Sequence, residues 1–132
     1  MDICIKIIYM AKYNILIVDD NIHFLDAFKF ILLNDHSDKI NRIYIAKNGN
    51  ECLGILRENP VDIVFMDKDM PGMDGVEATK KAIDQYWGIK IIAVSFHSEL
   101  DDIKKMLEAG ARNYIIKEEL NKDVLERCLT KV

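Results

Sequence analysis

The sequence predicts an α/β fold, a parallel sheet of five strands with helices on both faces. Three observations predict it. Strand-like apolar runs and helix-like amphipathic segments alternate from residue 14 to the end, as in a parallel sheet built with crossover helices. The strand-like runs are continuous rather than alternating, as strands covered on both faces must be. The segments between them are short and punctuated by Asn, Asp and Gly, with no repeat, low-complexity tract or linker, so the chain reads as one unit.

Taken in order, "NILIV" (Asn14 to Val18) is the first strand. A helix follows with Ile22, Leu25, Phe28 and Leu32 on one side, capped by Asp20 or Asn21 because their short acceptors satisfy free N–H groups. "IYIA" (Ile43 to Ala46) is the second strand, and Asn48 caps a helix carrying Cys52, Leu53 and Leu56 inward. "DIVFM" (Asp62 to Met66) is the third strand, with a helix expected from Gly75 to Tyr86. "KIIAV" (Lys90 to Val94) is the fourth. "SELD" (Ser98 to Asp101) has the form of a capping box and opens a helix expected to turn Leu100, Ile103 and Leu107 inward, with Gly110 ending it. "NYII" (Asn113 to Ile116) is the fifth strand, and Asn121 caps a last helix with Val124, Leu125 and Cys128 inward.

Composition narrows the function. At 132 residues, 50% hydrophobic and 30% charged, the chain has the make-up of one globular domain with a real core. A net charge of −4 without a Lys/Arg cluster argues against direct nucleic-acid binding, which needs clustered cations against phosphates. Cys4, Cys52 and Cys128 lack C-x-x-C spacing and read as reduced thiols of a cytoplasmic protein. His23, His36 and His97 lack metal-ligand spacing. The N-terminal apolar run is broken by Lys6 and Lys12, so it reads neither as a membrane span nor as a signal peptide. Residues 1–11 are expected to be an extension to a domain at 12–132. Met10 offers a second start, and "ICIKII" (Ile3 to Ile8) is strand-like, so the extension is either an extra edge strand or disordered.

Parallel strands place their carboxyl ends along one edge, where ligands bind. There the sequence puts Asp19 and Asp20 after the first strand, Asp67 after the third, Ser95 after the fourth and Lys117 after the fifth. If the first and third strands are neighbours, three carboxylates converge. Two carboxylates about 5 Å apart repel by roughly 3 kcal/mol at an effective dielectric of 20, so such a cluster suits a hard divalent cation, most naturally Mg²⁺. A hydroxyl and an ammonium beside it suit phosphoryl oxygens. The set describes phosphoryl transfer to an aspartate.

The segments "ILIVDD", "DIVFMDKDMPGMDG", "IIAVS" and "GARNYIIK", in this order, resemble the response-regulator receiver domain of two-component signalling, the CheY-like superfamily, from Lys12 to Val132. The resemblance implies a doubly wound, flavodoxin-like sheet of strand order 2-1-3-4-5. It implies Asp67 as the phospho-acceptor, and Asp19, Asp20, Asp67 and the backbone carbonyl of Lys68 as the shell of Mg²⁺ or Mn²⁺, Asp19 acting through water. It further implies Ser95 and Lys117 as the phosphoryl-binding pair, Tyr114 as the aromatic that swings inward with Ser95 in the switch, and Pro71 and Gly72 as shapers of the loop. Such a protein is not a conventional enzyme. It catalyses its own phosphotransfer and dephosphorylation, takes its phosphoryl group from a histidine kinase or phosphotransfer protein, and signals through the face of the fourth helix, fifth strand and fifth helix. It works as a monomer or a phosphorylation-dependent dimer, off the membrane. With the chain ending at the last helix, the expectation is a single-domain receiver or one excised from a longer protein.

The sequence departs from the family's pattern at three places. Phe96 stands where a small residue usually follows the Ser/Thr, and is expected to crowd the phosphoryl site and exclude water from it. Glu118 stands where proline usually follows the lysine, so no cis peptide is expected there. Asp69 adds a charge two residues past the acceptor. Three other readings compete with this one. A non-phosphorylated pseudo-receiver, a pure binding module, is the most serious, although every reacting group is retained. A haloacid-dehalogenase-type phosphatase shares the D-x-D pattern in "DKD" but resembles it poorly, with Pro71 where Thr or Val belongs and its acidic pair expected late in the chain. A calcium loop starting at Asp67 lacks oxygens at Pro71 and Ala78.

Overall fold

The computed structural model describes residues 12–130; the expected extension at 1–11 and Cys4 lie outside them. Five strands, β1 (Tyr13–Val18), β2 (Ile40–Ala46), β3 (Ile63–Met66), β4 (Lys90–Ser95) and β5 (Asn113–Ile116), alternate with helices α1 (Ile22–Asp35), α2 (Gly49–Glu58), α3 (Gly75–Gln85), α4 (Leu100–Ala109) and α5 (Lys122–Cys128). Every strand pair is parallel and the order is β2-β1-β3-β4-β5. This is the predicted doubly wound sheet.

The continuous apolar runs bury both faces of the central strands. Leu16, Val18, Val64, Met66, Ile91 and Ala93 point to the layer completed by Cys52, Leu53 and Leu56 of α2, Ala78 and Ala82 of α3, and Met106 of α4. Ile15, Ile17, Ile63, Phe65, Ile92 and Val94 point to the layer of Leu25, Phe28 and Leu32 of α1 and Leu125 and Cys128 of α5. At about 1.5–3 kcal/mol for each large side chain removed from water, these two layers dominate the stability. Cys52 and Cys128 are free and buried within them, and burial pushes the Cys52 thiol up to about 12, an inert thiol.

Caps form where the sequence places short acceptors. Asn21 accepts from the N–H groups of His23 and Phe24, Asn48 from Glu51, Asp74 from Glu77 and Asn121 from Val124. α4 is the exception. Its N-cap is Glu99 with no side-chain cap bond, so the expected Ser98 capping box does not form. The inward stripe also differs: Met106 and Ala109 are buried, whereas Leu100 is 81% and Leu107 44% exposed. Two stripes of helical period overlap in this segment, and the one ending in small Ala109 and Gly110 lets α4 approach α3. A Cβ at Gly110 would sit 2.7 Å from Ile83 Cγ1, and its φ of +121° suits glycine. Ile22 likewise faces outward at 53% exposure, one turn before the buried stripe of α1. β2 begins at Ile40, three residues earlier than expected. It is an edge strand, and solvated Asn41 and Arg42 break the apolar signal.

Lys90, which the sequence shows only as the start of a strand, is buried. Its ammonium donates to the carbonyls of Cys128 (2.9 Å) and Thr130 (3.0 Å), satisfying acceptors left open at the end of α5. Among the described residues no helix is long and apolar enough to cross a membrane, and there is no cis peptide bond.

Candidate functional site

Strand register assembles the site. Val18 pairs with Met66 and Ser95 with Ile116, so Asp19, Asp67 and Lys117 leave the sheet at one level beside Ser95. Backbone bonds fix the exits: the Asp67 N–H donates to the Val18 carbonyl (2.9 Å) and the Asp19 N–H to that of Ala46 (3.0 Å). Asp19, Asp67, Ser95 and Lys117 are all buried polar groups, while Asp20 is exposed. One carboxylate oxygen from each of Asp19, Asp20 and Asp67 lies within 4.8 Å of the others. The convergence expected from the sequence is present.

The loop after β3 is shaped to leave Asp67 free. Gly72 takes a φ of +75°, and Gly75 lies so close that a Cβ there would sit 2.0 Å from the Asp67 carbonyl oxygen. Only glycine fits at that approach. The Gly75 N–H donates to the carbonyl of Lys68 (2.8 Å). A carbonyl oxygen keeps a second lone pair, so Lys68 can still take a cation.

Electrostatics set Asp67 apart. Burial first, and then the charges of Asp19, Asp20 and Asp69, push the Asp67 carboxyl up to about 7 against a lowering from Lys117. The Lys117 ammonium, itself buried, donates to Asp19 Oδ2 at 2.6 Å and stands 4.0 Å from Asp67 Oδ1, too far for a hydrogen bond. It also lies 4.1 Å from the centroid of the Phe24 ring and 4.6 Å from that of Phe96. Hard oxygen donors gathered without enough cations to balance them fit a divalent ion of the Mg²⁺ type.

Around the mouth, the Ser95 hydroxyl accepts from the His97 N–H (3.1 Å) and the Tyr114 hydroxyl donates to the His97 carbonyl (2.8 Å). Partial burial raises Tyr114 above its usual range, against a lowering from Ser95. His97 Nε2 meets Asp69 Oδ2 at 2.7 Å, and Lys68 Nζ meets Asp102 of α4 at 3.0 Å. Asp19, Asp20, Asp67, Asp69, Ser95, Phe96, His97 and Lys117 line a cleft of about 200 Å³. Phe96 thus sits at the cleft, as expected, with its ring beside the Lys117 ammonium and the residue 56% exposed.

Sequence reasoning missed Phe24, His97 and Gly75. A signal existed for Phe24: with Asn21 as cap it falls in the first turn of α1, where helical side chains point back toward the N-terminus and so toward the sheet edge. His97 carried none, because its role depends on where the loop after β4 folds.

The sequence profile of the response regulator receiver domain matches residues 15–129. The chain belongs to the response regulator receiver domain family. Among curated proteins, an uncharacterized transcriptional regulatory protein of Bacillus subtilis, YhcZ, is 35% identical over 104 residues, 79% of this chain and 48% of that protein. Sporulation initiation phosphotransferase F of Bacillus subtilis is 36% identical over 111 residues, 82% of this chain and 84% of that one. A CheY-like receiver domain structure from Methanospirillum hungatei superposes with a TM-score of 0.77 at 32% identity, over 89% of this chain and 90% of that one. This receiver domain spans about half the length of the transcriptional regulators it matches first.

Proposed function

We propose that this receiver domain is a phosphorylation switch in which Asp67 accepts a phosphoryl group from the phosphohistidine of a histidine kinase or phosphotransfer protein. The observation that carries the reading is the convergence of Asp19, Asp20 and Asp67 within 4.8 Å beside the buried ammonium of Lys117. Asp67 Oδ attacks phosphorus in line, the P–N bond breaks and the imidazole leaves. Asp19, Asp20, Asp67 and the Lys68 carbonyl would hold the ion, which when bound offsets the charge developing on the phosphoryl oxygens. Ser95 donates its hydroxyl to one phosphoryl oxygen, and Lys117, turned from Asp19, donates to another. Burial and neighbouring charge hold the Asp67 carboxyl up at about 7, so cations around it favour the ionised nucleophile.

The output follows from the ties on the loop after β4. When Ser95 moves toward the phosphoryl group, the His97 backbone that it holds moves too, and Tyr114 loses or shifts its anchor. The face of α4, β5 and α5, where Leu100 and Leu107 are exposed, then changes shape, a population shift between two packings. A downstream protein reads that face.

Incubation with Mg²⁺ and a small phosphodonor, followed by intact-mass analysis, tests the reading. One slowly lost acyl phosphate, absent in Asp67→Asn, supports it. No labelling by a small donor or by any phosphohistidine donor identifies a pseudo-receiver that acts as a binding module, and steady turnover identifies a phosphatase.

A further inference from the structure

Lys117 has an environment that the phosphoryl-transfer reading alone does not require. Its ammonium has three donors. One is used on Asp19 Oδ2 at 2.6 Å, and the ion lies between two aromatic rings, with centroids 4.1 Å away on Phe24 and 4.6 Å away on Phe96. Both distances fall inside the range in which a ring face attracts a cation, and the attraction grows where water is excluded. Lys117 is buried to 9% exposure. The two rings differ in how firmly they are held. Phe24 belongs to the first turn of α1 and packs against the tilted ring of Phe28, centroids 5.5 Å apart, which packs in turn against Phe65 of β3 at 5.0 Å. Phe96 stands on the loop after β4, more than half exposed, with no ring neighbour besides the ammonium among the described residues.

We infer that Phe24 and Phe96 are positioning residues that form a two-walled aromatic cage for the Lys117 ammonium, Phe24 the fixed wall and Phe96 the wall that yields to a phosphoryl oxygen. The inference rests on the phosphoryl-acceptor reading of the cleft and deepens it. The cage keeps the ammonium dry and beside the acceptor while Asp19 holds its charge. A phosphoryl oxygen needs one of the ammonium's remaining donors, and reaching it from the cleft displaces the mobile ring, because the packed one has nowhere to go. Phe96 and Ser95 are consecutive, so the inward movement of the Ser95 hydroxyl and the outward movement of the Phe96 ring are one motion of one loop.

The test combines NMR of the Lys117 side chain with titration of beryllofluoride in the presence of Mg²⁺. In the unliganded protein the Lys117 ε-methylene protons should resonate well upfield of an ordinary lysine, because they lie over two rings. Phe96→Leu and Phe24→Leu should each remove part of that shift. Phe96→Leu should also tighten beryllofluoride binding, roughly three- to tenfold, because the cation–ring contact it deletes exists only before the anion binds, whereas Phe24→Leu should change the affinity little, because that contact is kept in both states. Phe96→Tyr should restore both the shift and the wild-type affinity, since the electron-rich ring face is kept. Beryllofluoride should itself remove the Phe96 part of the shift and leave the Phe24 part. Phe96→Leu lies on an exposed loop and carries the test even if Phe24→Leu fails to fold. An ordinary Lys117 shift in the wild type overturns the cage, as does a Phe96→Leu protein with unchanged shift and affinity. A wild type that shows the upfield shift, lost in the leucine variants, but binds no beryllofluoride leaves the cage standing and removes the phosphoryl-acceptor reading instead.

Discussion

Replacing Asp67 by Asn should stabilise the metal-free protein at neutral and alkaline pH. In the folded state the Asp67 carboxyl lies at about 7, against an ordinary 3.8, because burial and the charges of Asp19 and Asp20 outweigh the help from Lys117. A carboxyl raised by folding contributes its full stability below its unfolded value and loses it as pH climbs through the folded one. The metal-free wild type should therefore weaken between about pH 4 and pH 7. The shift corresponds to about 4 kcal/mol as an upper bound, at about 1.4 kcal/mol per tenfold. The cleft opens to water at its mouth, and solvent there reduces the effect to about 1–3 kcal/mol, the size of the repulsion between two carboxylates about 5 Å apart at an effective dielectric of 20. Asn keeps the shape and removes the charge. Urea denaturation in chelator at pH 8 and at pH 4 measures it: Asp67→Asn should exceed wild type at pH 8 and approach it at pH 4, and Asp20→Asn should share the direction. Mg²⁺ at ten times its dissociation constant should return about 1.4 kcal/mol to wild type by mass action and narrow the gap. Equal or lower stability of Asp67→Asn at pH 8 would refute the reasoning, since the carboxylates would then not oppose folding.

Ser95→Ala should still be labelled on Asp67 but fail to change its partner binding, because in the proposed switch the tie from Ser95 to His97 would carry the signal; equal capture of a partner by labelled variant and wild type sinks this route. Phe96→Ala should shorten the lifetime of the acyl phosphate and speed labelling by small donors by about tenfold, about 1.4 kcal/mol of barrier, measured by phosphate release from purified labelled protein; equal lifetimes show that the ring shields nothing. Gly75→Ala should destabilise the fold by about 1–3 kcal/mol through overpacking, because the new Cβ would lie 2.0 Å from the Asp67 carbonyl oxygen; an unchanged denaturation midpoint would show that the loop relaxes freely.

The sheet and most of the carboxylate cluster were legible because they rest on short-range rules. Continuous apolar runs identify strands buried on both faces, and the residue after each strand falls at the same edge whatever the helices do. Asp19, Asp20, Asp67, Ser95 and Lys117 were therefore placed from sequence alone. What stayed hidden depends on distance along the chain or on competing patterns. The face that α4 buries was misread because leucines outweigh Met106 and Ala109 on a hydrophobicity count, although small residues permit the closer approach to α3. The burial of Lys90 depends on carbonyls of Cys128 and Thr130, far away in sequence, and no local pattern announces it. The pairing of Lys117 with Asp19 rather than Asp67 is set by differences of little more than an ångström, finer than any pattern resolves.

The magnitudes indicate which contacts can carry the proposed switch. Moving a two-state equilibrium from 1:99 to 99:1 takes about 5.5 kcal/mol of differential interaction. The pair of His97 with Asp69 joins side chains that are each about half exposed, and exposed pairs of this kind supply about 0.2–1 kcal/mol. Such a pair tunes the resting position of the loops but cannot drive the transition. The contacts large enough are those kept from water: the bond between Lys117 and Asp19, whose side chains are 5% and 2% exposed, and the fully buried hydroxyl of Ser95. In the proposed switch, a phosphoryl group on Asp67 would compete for both. It would draw the ammonium from Asp19 and the hydroxyl from the His97 N–H, trading two charge-assisted or buried bonds for two to a dianion, which are the stronger. The loop after β4 is where these exchanges meet, because Ser95, Phe96 and His97 are consecutive. Tyr114, held to the His97 carbonyl, is therefore the first group beyond the site that must respond.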